Sequence, residues 1–68
     1  MEFQLKHEFI ELDNLLKAAD IAASGAEARQ YVLNGSVKVN GEVEARVRRK
    51  LRAGDSVEFG GRQISIVA

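Results

Sequence analysis

The hydrophobic period of this 68-residue chain switches from helical to strand-like at Asn34-Gly35. Upstream, Leu12, Leu15 and Leu16 fall at i, i+3 and i+4, with Ala19 at i+7, which is the apolar stripe of a short helix. Downstream, Ser36-Val37-Lys38-Val39 alternates with the two-residue period of a half-buried strand. A short alternating run, Glu2-Phe3-Gln4-Leu5-Lys6, precedes the helical part and places Phe3 and Leu5 on one side. The order is therefore strand, helix, helix, then several short strands. This is an α+β chain and not a set of βαβ units.

Local punctuation supports that order. Ser24-Gly25-Ala26-Glu27 fits a capping box, in which the Ser hydroxyl accepts from a free helical N–H and the Glu carboxylate returns the bond. Ala28, Tyr31 and Val32 then form the inward face of a second helix, which stops at Asn34-Gly35. Glu11 and Asp13 at the start of the first helix and Lys17 near its end match the helix dipole. Asn40-Gly41 is a type I′ turn signal that joins Ser36–Val39 to Glu42–Ala45. Ala53-Gly54-Asp55 reads as a further turn, and Gly60-Gly61 joins Ser56–Phe59 to Arg62–Val67 in a second hairpin.

No linker, repeat or low-complexity tract interrupts the chain, so residues 1–68 are read as one domain. With no cysteine and one histidine, neither a disulfide nor a structural zinc staples it, and stability has to come from packing. No cofactor or metal is expected. Met1-Glu2-Phe3-Gln4-Leu5-Lys6 lacks a basic stretch leading into an apolar run, so neither a secretory signal nor a membrane partner is expected and the cytoplasm is the expected location. The inventory also speaks against catalysis. Ser24 has a sufficient role as a helix cap, and His7 has no carboxylates at metal-ligand spacing. Gly60-Gly61 is followed by neither Lys-Ser/Thr nor a helix, so it is a turn and not a phosphate loop.

Charge totals conceal an asymmetry. Ten Lys and Arg balance ten Asp and Glu. Residues 1–28, however, carry Lys6 and Lys17 against Glu2, Glu8, Glu11, Asp13, Asp20 and Glu27. Residues 29–68 carry Arg29, Lys38, Arg46, Arg48, Arg49, Lys50, Arg52 and Arg62 against Glu42, Glu44, Asp55 and Glu58. Such polarity suits an anionic partner on one side of a neutral molecule. Its centre is Arg46-Val47-Arg48-Arg49-Lys50-Leu51-Arg52, five cations in seven residues. Read as extended, it points Arg46, Arg48, Lys50 and Arg52 one way and Val47 and Leu51 the other, leaving Arg49 on the apolar side unless the chain bends. The competing reading is a solvated edge whose charge blocks aggregation. Guanidinium groups bind phosphate in a fork and stay charged, so an anion-binding face of this type suits phosphate. Phe3, Phe9, Tyr31 and Phe59 mostly fall on apolar faces and read as core, so a nucleic-acid partner would be a structured, backbone-recognised form rather than an unfolded strand.

These residues resemble a known family. Leu12-Asp13-Asn14-Leu15-Leu16, Ser24 with Ala28-Arg29, Gly35-Ser36-Val37-Lys38-Val39-Asn40-Gly41 and Gly54-Asp55-Ser56-Val57 are similar to the RNA-binding domain named after the fourth small-subunit ribosomal protein, the alpha-L motif. The likeness covers about residues 9–60. Ser24–Arg29 and Arg46–Leu51 look most like its small stand-alone bacterial members, of the YbcJ and YaaA type. The resemblance implies an alpha-L fold, two packed short helices against a small, mostly antiparallel sheet of short strands. It also implies structured RNA, ribosomal or transfer, as the partner and an association with the ribosome; with the inventory above, no enzymatic activity is expected.

Carried onto this chain, the RNA-facing positions are Ser24, Gly25, Arg29 and Gln30 on the second helix and Lys38 and Asn40 in the hairpin. Arg46, Arg48, Arg49, Lys50 and Arg52 lie beyond it. For Gly25, close approach of a phosphate to free N–H groups competes with ordinary helix-start tolerance. For Arg29, the shared patch competes with a bond to Glu27. Asn40 reads as serving turn geometry before contact. Many members have Arg where this chain has Glu11 and Gly25. Either contact has shifted onto residues 46–52, or RNA affinity has weakened and the surface serves a protein partner.

Overall fold

The computed structural model describes residues 1–68. Its elements are β1 (Glu2–Gln4), β2 (Ile10–Glu11), α1 (Leu12–Ala18), α2 (Gly25–Leu33), β3 (Val37–Val39), β4 (Glu42–Val43), β5 (Lys50–Leu51), β6 (Ser56–Phe59) and β7 (Arg62–Val67). A five-stranded sheet runs β1-β7-β6-β3-β4, and β2 pairs with β5 in a separate two-stranded ladder. Every pairing is antiparallel except that of β1 with β7. The expected α+β arrangement, two short helices against a small, mostly antiparallel sheet, is the one observed.

The helices form where the sequence directs them and end in the same way. Ser24 Oγ accepts from the Glu27 amide at 3.2 Å. The return bond falls one residue earlier than a standard capping box puts it, with the Ala23 amide donating to Glu27 Oε1 at 3.2 Å. At the far end of α2, Gly35 adopts φ 83°, its N–H donates to Val32 O, and the Ser36 N–H donates to Tyr31 O. That is a Schellman closure, which needs a left-handed residue after the cap. α1 closes identically through Asp20 at φ 61°, with the Asp20 and Ile21 amides donating to Lys17 and Leu16 carbonyls. Asp tolerates this conformation better than most side chains.

The core lies between the helix pair and one face of the sheet. Leu12, Leu15, Leu16 and Ala19 from α1 and its C-cap meet Ala28 and Val32 from α2 and Val37, Val39, Val57, Ile64 and Ile66 from the sheet, all buried. Each fully buried Leu or Ile contributes about 1.5–3 kcal/mol over its exposed state. Tyr31 joins α2 to β6 through the Phe59 ring, with centroids 4.7 Å apart. Lys38, Glu58 and Gln63 align across the outer face of β3, β6 and β7, which is polar. No helix is long and apolar enough to cross a membrane.

Candidate nucleic-acid interface

The basic segment is not the extended strand its alternation suggests. Only Lys50-Leu51 is strand. The chain turns at Val47-Arg48, and the Arg49 N–H closes the turn on Arg46 O at 3.3 Å. A carboxylate that sequence reasoning did not single out causes the bend. Glu44 is buried, with 7% of its surface exposed. Its carboxylate accepts from the Ala45 and Arg46 amides at 3.0 and 3.1 Å, from Arg46 Nε and Nη2 at 3.1 Å each, and from Arg49 Nη1 at 2.8 Å. The Arg46 side-chain bonds outweigh the penalty of burial and, with Arg49, hold the Glu44 pKa down at about 2. Arg49 therefore escapes the apolar side by folding back onto Glu44.

Backbone bonds fasten this turn to the helices. The Leu12 and Asp13 amides, unpaired at the start of α1, donate to Arg49 O at 2.8 Å and Val47 O at 3.1 Å. This accounts for Glu11 standing at the N-cap without a side-chain cap. Pairing of Ile10 with Leu51 and Glu11 with Lys50 fixes the next two residues. With carbonyls facing α1 and Val47 and Leu51 facing the core, Arg46, Arg48 and Lys50 are directed outward while Arg49 lies over Glu44.

Arg46, Arg48, Arg49 and Lys50 by themselves line an open depression of about 560 Å³. Arg48 also borders a neighbouring hollow of about 430 Å³ with Gly25, Ala26, Arg29, Val47 and Asp13. On the opposite side Arg46 and Arg49 border a third, of about 300 Å³, which reaches Asn40 at the hairpin tip. Seven of the eleven expected site residues are thus contiguous: Gly25, Arg29, Asn40, Arg46, Arg48, Arg49 and Lys50. The other four lie apart from these hollows. Ser24 is committed to its cap, and Gln30 is exposed on α2. Lys38 lies on the outer sheet face opposite Glu58. Arg52 turns toward the Phe9 ring, 5.9 Å from its centroid.

Charge on the face is partly compensated. Besides the Glu44 fork, Arg48 Nε lies 3.5 Å from Glu11 Oε2 with 77% of the Arg48 side chain exposed, an ion pair of about 0–1 kcal/mol that a phosphate can displace. Arg29 makes no bond to Glu27, whose Oε1 is occupied by the Ala23 amide and the Tyr31 hydroxyl. Gly25 is open on its outer side, where an added Cβ would meet only Lys17 Nζ at 4.0 Å.

Asn40 acts within the fold. Its Nδ2 donates to Asp55 Oδ1 at 3.1 Å, and its Oδ1 accepts from the Ser56 amide at 2.9 Å. The Arg52 amide donates to the other Asp55 oxygen at 2.8 Å and is the chief cause of the lowered Asp55 pKa. The Val-Asn-Gly and Gly-Asp pieces, separated in sequence, are one hydrogen-bonded unit in space. Sequence reasoning missed the role of Glu44, and it read Glu11 only as a lost charge and Phe9 as core, whereas Glu11 pairs with Arg48 and Phe9 lies against Lys50 and Arg52. Five arginines and lysines around a single apolar-flanked turn were the available signal for a buried acidic counterpart.

Comparison with known proteins agrees with this architecture. The chain is 44% identical over 63 residues to YbcJ of Escherichia coli, covering 93% of this chain and 90% of that protein. The solution structure of YbcJ, described as revealing an alfaL motif involved in RNA binding, superimposes with a TM-score of 0.74 over 98% of this chain and 86% of that one. A Bacillus subtilis protein named as a probable ribosome maturation protein, RlbA, is 43% identical over 79% of this chain and 76% of its own length. The small ribosomal subunit protein uS4m of Schizosaccharomyces pombe is 45% identical over 75% of this chain, which amounts to 16% of that longer protein. The family profile described as S4 domain matches residues 3–67. That profile spans nearly the whole length, and the chain belongs to the S4 domain family.

Proposed function

We propose that this protein is a non-enzymatic, cytoplasmic RNA-binding factor that docks structured RNA, ribosomal or transfer, through the Arg46–Lys50 face, and that it acts in association with the ribosome. One observation carries the reading: four cations and no other side chain line one open depression. Phosphate oxygens are the natural occupants of such a surface, because Arg matches them in a two-pronged fork and Lys supplies a point charge. The hollow beside Gly25 and Arg29 extends the face toward the start of α2, and Arg29 carries no competing ion pair. The names of YbcJ's structure and of RlbA support RNA, and the ribosome, as partners for a relative this similar.

Charge removal tests the reading, provided the residues removed do not hold the fold. Arg46 and Arg49 neutralise buried Glu44, so the informative variants are Arg29→Gln, Arg48→Gln and Lys50→Gln. Each lost phosphate contact lowers the slope of log affinity against log salt by about 0.9 on a duplex, and the triple variant loses about 2.7 with its melting curve unchanged. An unaltered slope refutes the assignment. Salt-insensitive capture of a protein after nuclease treatment would instead establish the protein-interaction alternative.

A further inference from the structure

We propose that the hollow between β1 and β2 is a slot for one unpaired nucleobase at the flank of the phosphate face; this rests on the RNA-binding reading above. The hollow has a volume of about 140 Å³ and is lined by Phe3, Leu5, Lys6, His7, Phe9 and Ile10. Phe3, Leu5 and Ile10 pack on the edge of the core, as do Tyr31 and Phe59, whereas Phe9 does not. Phe9 is thus the one aromatic ring the core leaves unused. It is half-buried and its ring lies against cations: Lys50 Nζ is 4.9 Å from the centroid and Arg52 Cζ 5.9 Å.

Lys50 bridges the two surfaces without lining the hollow itself: it lines the four-cation depression, and its Nζ lies against the Phe9 ring. A strand whose phosphate sits at Lys50 therefore runs past the Phe9 ring, and Arg52 extends the positive charge along the same side. The lining chemistry selects the occupant. A flat heterocycle stacks on Phe9 and fills an apolar hollow, while its attached phosphodiester uses Lys50 and Arg52. An aliphatic protein side chain would fill the hollow and leave those cations without a counter-charge. Bases inside an RNA helix are stacked and paired, so the occupant is a nucleotide from a bulge, loop or overhang next to a helix. The ligand class is thereby narrowed from structured RNA to a helix with an adjacent unpaired residue.

The test compares three RNAs by fluorescence anisotropy: a blunt duplex, the same duplex with a three-nucleotide overhang, and that overhang made abasic. The abasic overhang keeps the added phosphates and removes the bases. The native chain binds the base-bearing overhang about tenfold more tightly than the abasic one, as stacking of a single base on an aromatic ring allows. Phe9→Leu abolishes this preference and leaves abasic and blunt affinities unchanged. Phe9→Trp retains it, and its indole emission is quenched only by the base-bearing overhang. Equal binding of the two overhangs by the native chain, or a preference that survives in Phe9→Leu, overturns the slot. Salt-dependent binding of the blunt duplex without a base preference overturns the slot alone. Absence of salt-dependent binding to all three RNAs overturns the phosphate face as well.

Discussion

Replacing Glu44 by Gln probes the interaction that bends the basic segment. The carboxylate would ordinarily titrate near 4.5 and is held at about 2 by Arg46 and Arg49. Each tenfold change in protonation equilibrium is worth about 1.36 kcal/mol, which sets a ceiling of about 3 kcal/mol. Water screens much of this, because 72% of the Arg46 side chain is exposed, so about 1–2 kcal/mol remains. A carboxylate whose pKa is lower in the folded chain stabilises it above the unfolded value and stops doing so as acid protonates it. The contribution is thus complete above about pH 5 and disappears as pH falls toward 2. At pH 7 Glu44→Gln destabilises by about 2 kcal/mol, since its amide N–H₂ faces guanidinium donors and cannot accept from them. Urea unfolding at pH 7 and pH 2.5 measures both effects. The native-to-variant gap narrows by about 1–2 kcal/mol in acid, and the lowered Asp55 pKa, common to both proteins, cancels in the difference. A gap that stays constant across pH, or no gap at pH 7, refutes the argument.

Two further substitutions test the fold's local devices. Asn40→Ala removes the bonds to Asp55 and Ser56 and places Ala at φ 52°, costing about 2 kcal/mol in urea unfolding. Asn40→Gly restores the backbone freedom and costs only about 1 kcal/mol. Ser24→Ala deletes the α2 cap and costs about 1 kcal/mol, read by circular dichroism as a melting point lower by about 4–8 °C.

What the sequence discloses and what it withholds divide by the range of the interaction. The α2 cap, the Asn40-Gly41 and Gly60-Gly61 turns, and the inward faces of both helices are local, and each appears where residue chemistry puts it. The shape of residues 46–52 is set from outside the segment. Alternating cations and apolar residues mimic a strand, but the Glu44 carboxylate and the α1 amides fold the segment into a turn. The Glu11–Arg48 pair likewise depends on β2 meeting β5, a pairing across some forty residues with no local signal. Glu11 therefore reads in sequence as a charge lost from the phosphate face, whereas in space it is a weak, exposed partner of that face. The cations were legible as a group, and their connections were not.

The parallel pairing of β1 with β7 has a consequence for how the chain comes off the ribosome. Glu2–Gln4 takes its hydrogen-bonding neighbour from Ser65–Val67, so β1, which precedes every other strand of this sheet, waits for β7 before it has a place in it. The helices and the β3–β4 hairpin can close before β7 is made, but the β6–β7 hairpin and the β1 edge both wait for it, and β1 joins through the longest loop closure in the molecule. Removing β7 would therefore also leave β1 without a partner and make β6 the new edge of the sheet, with the β3–β4 end intact.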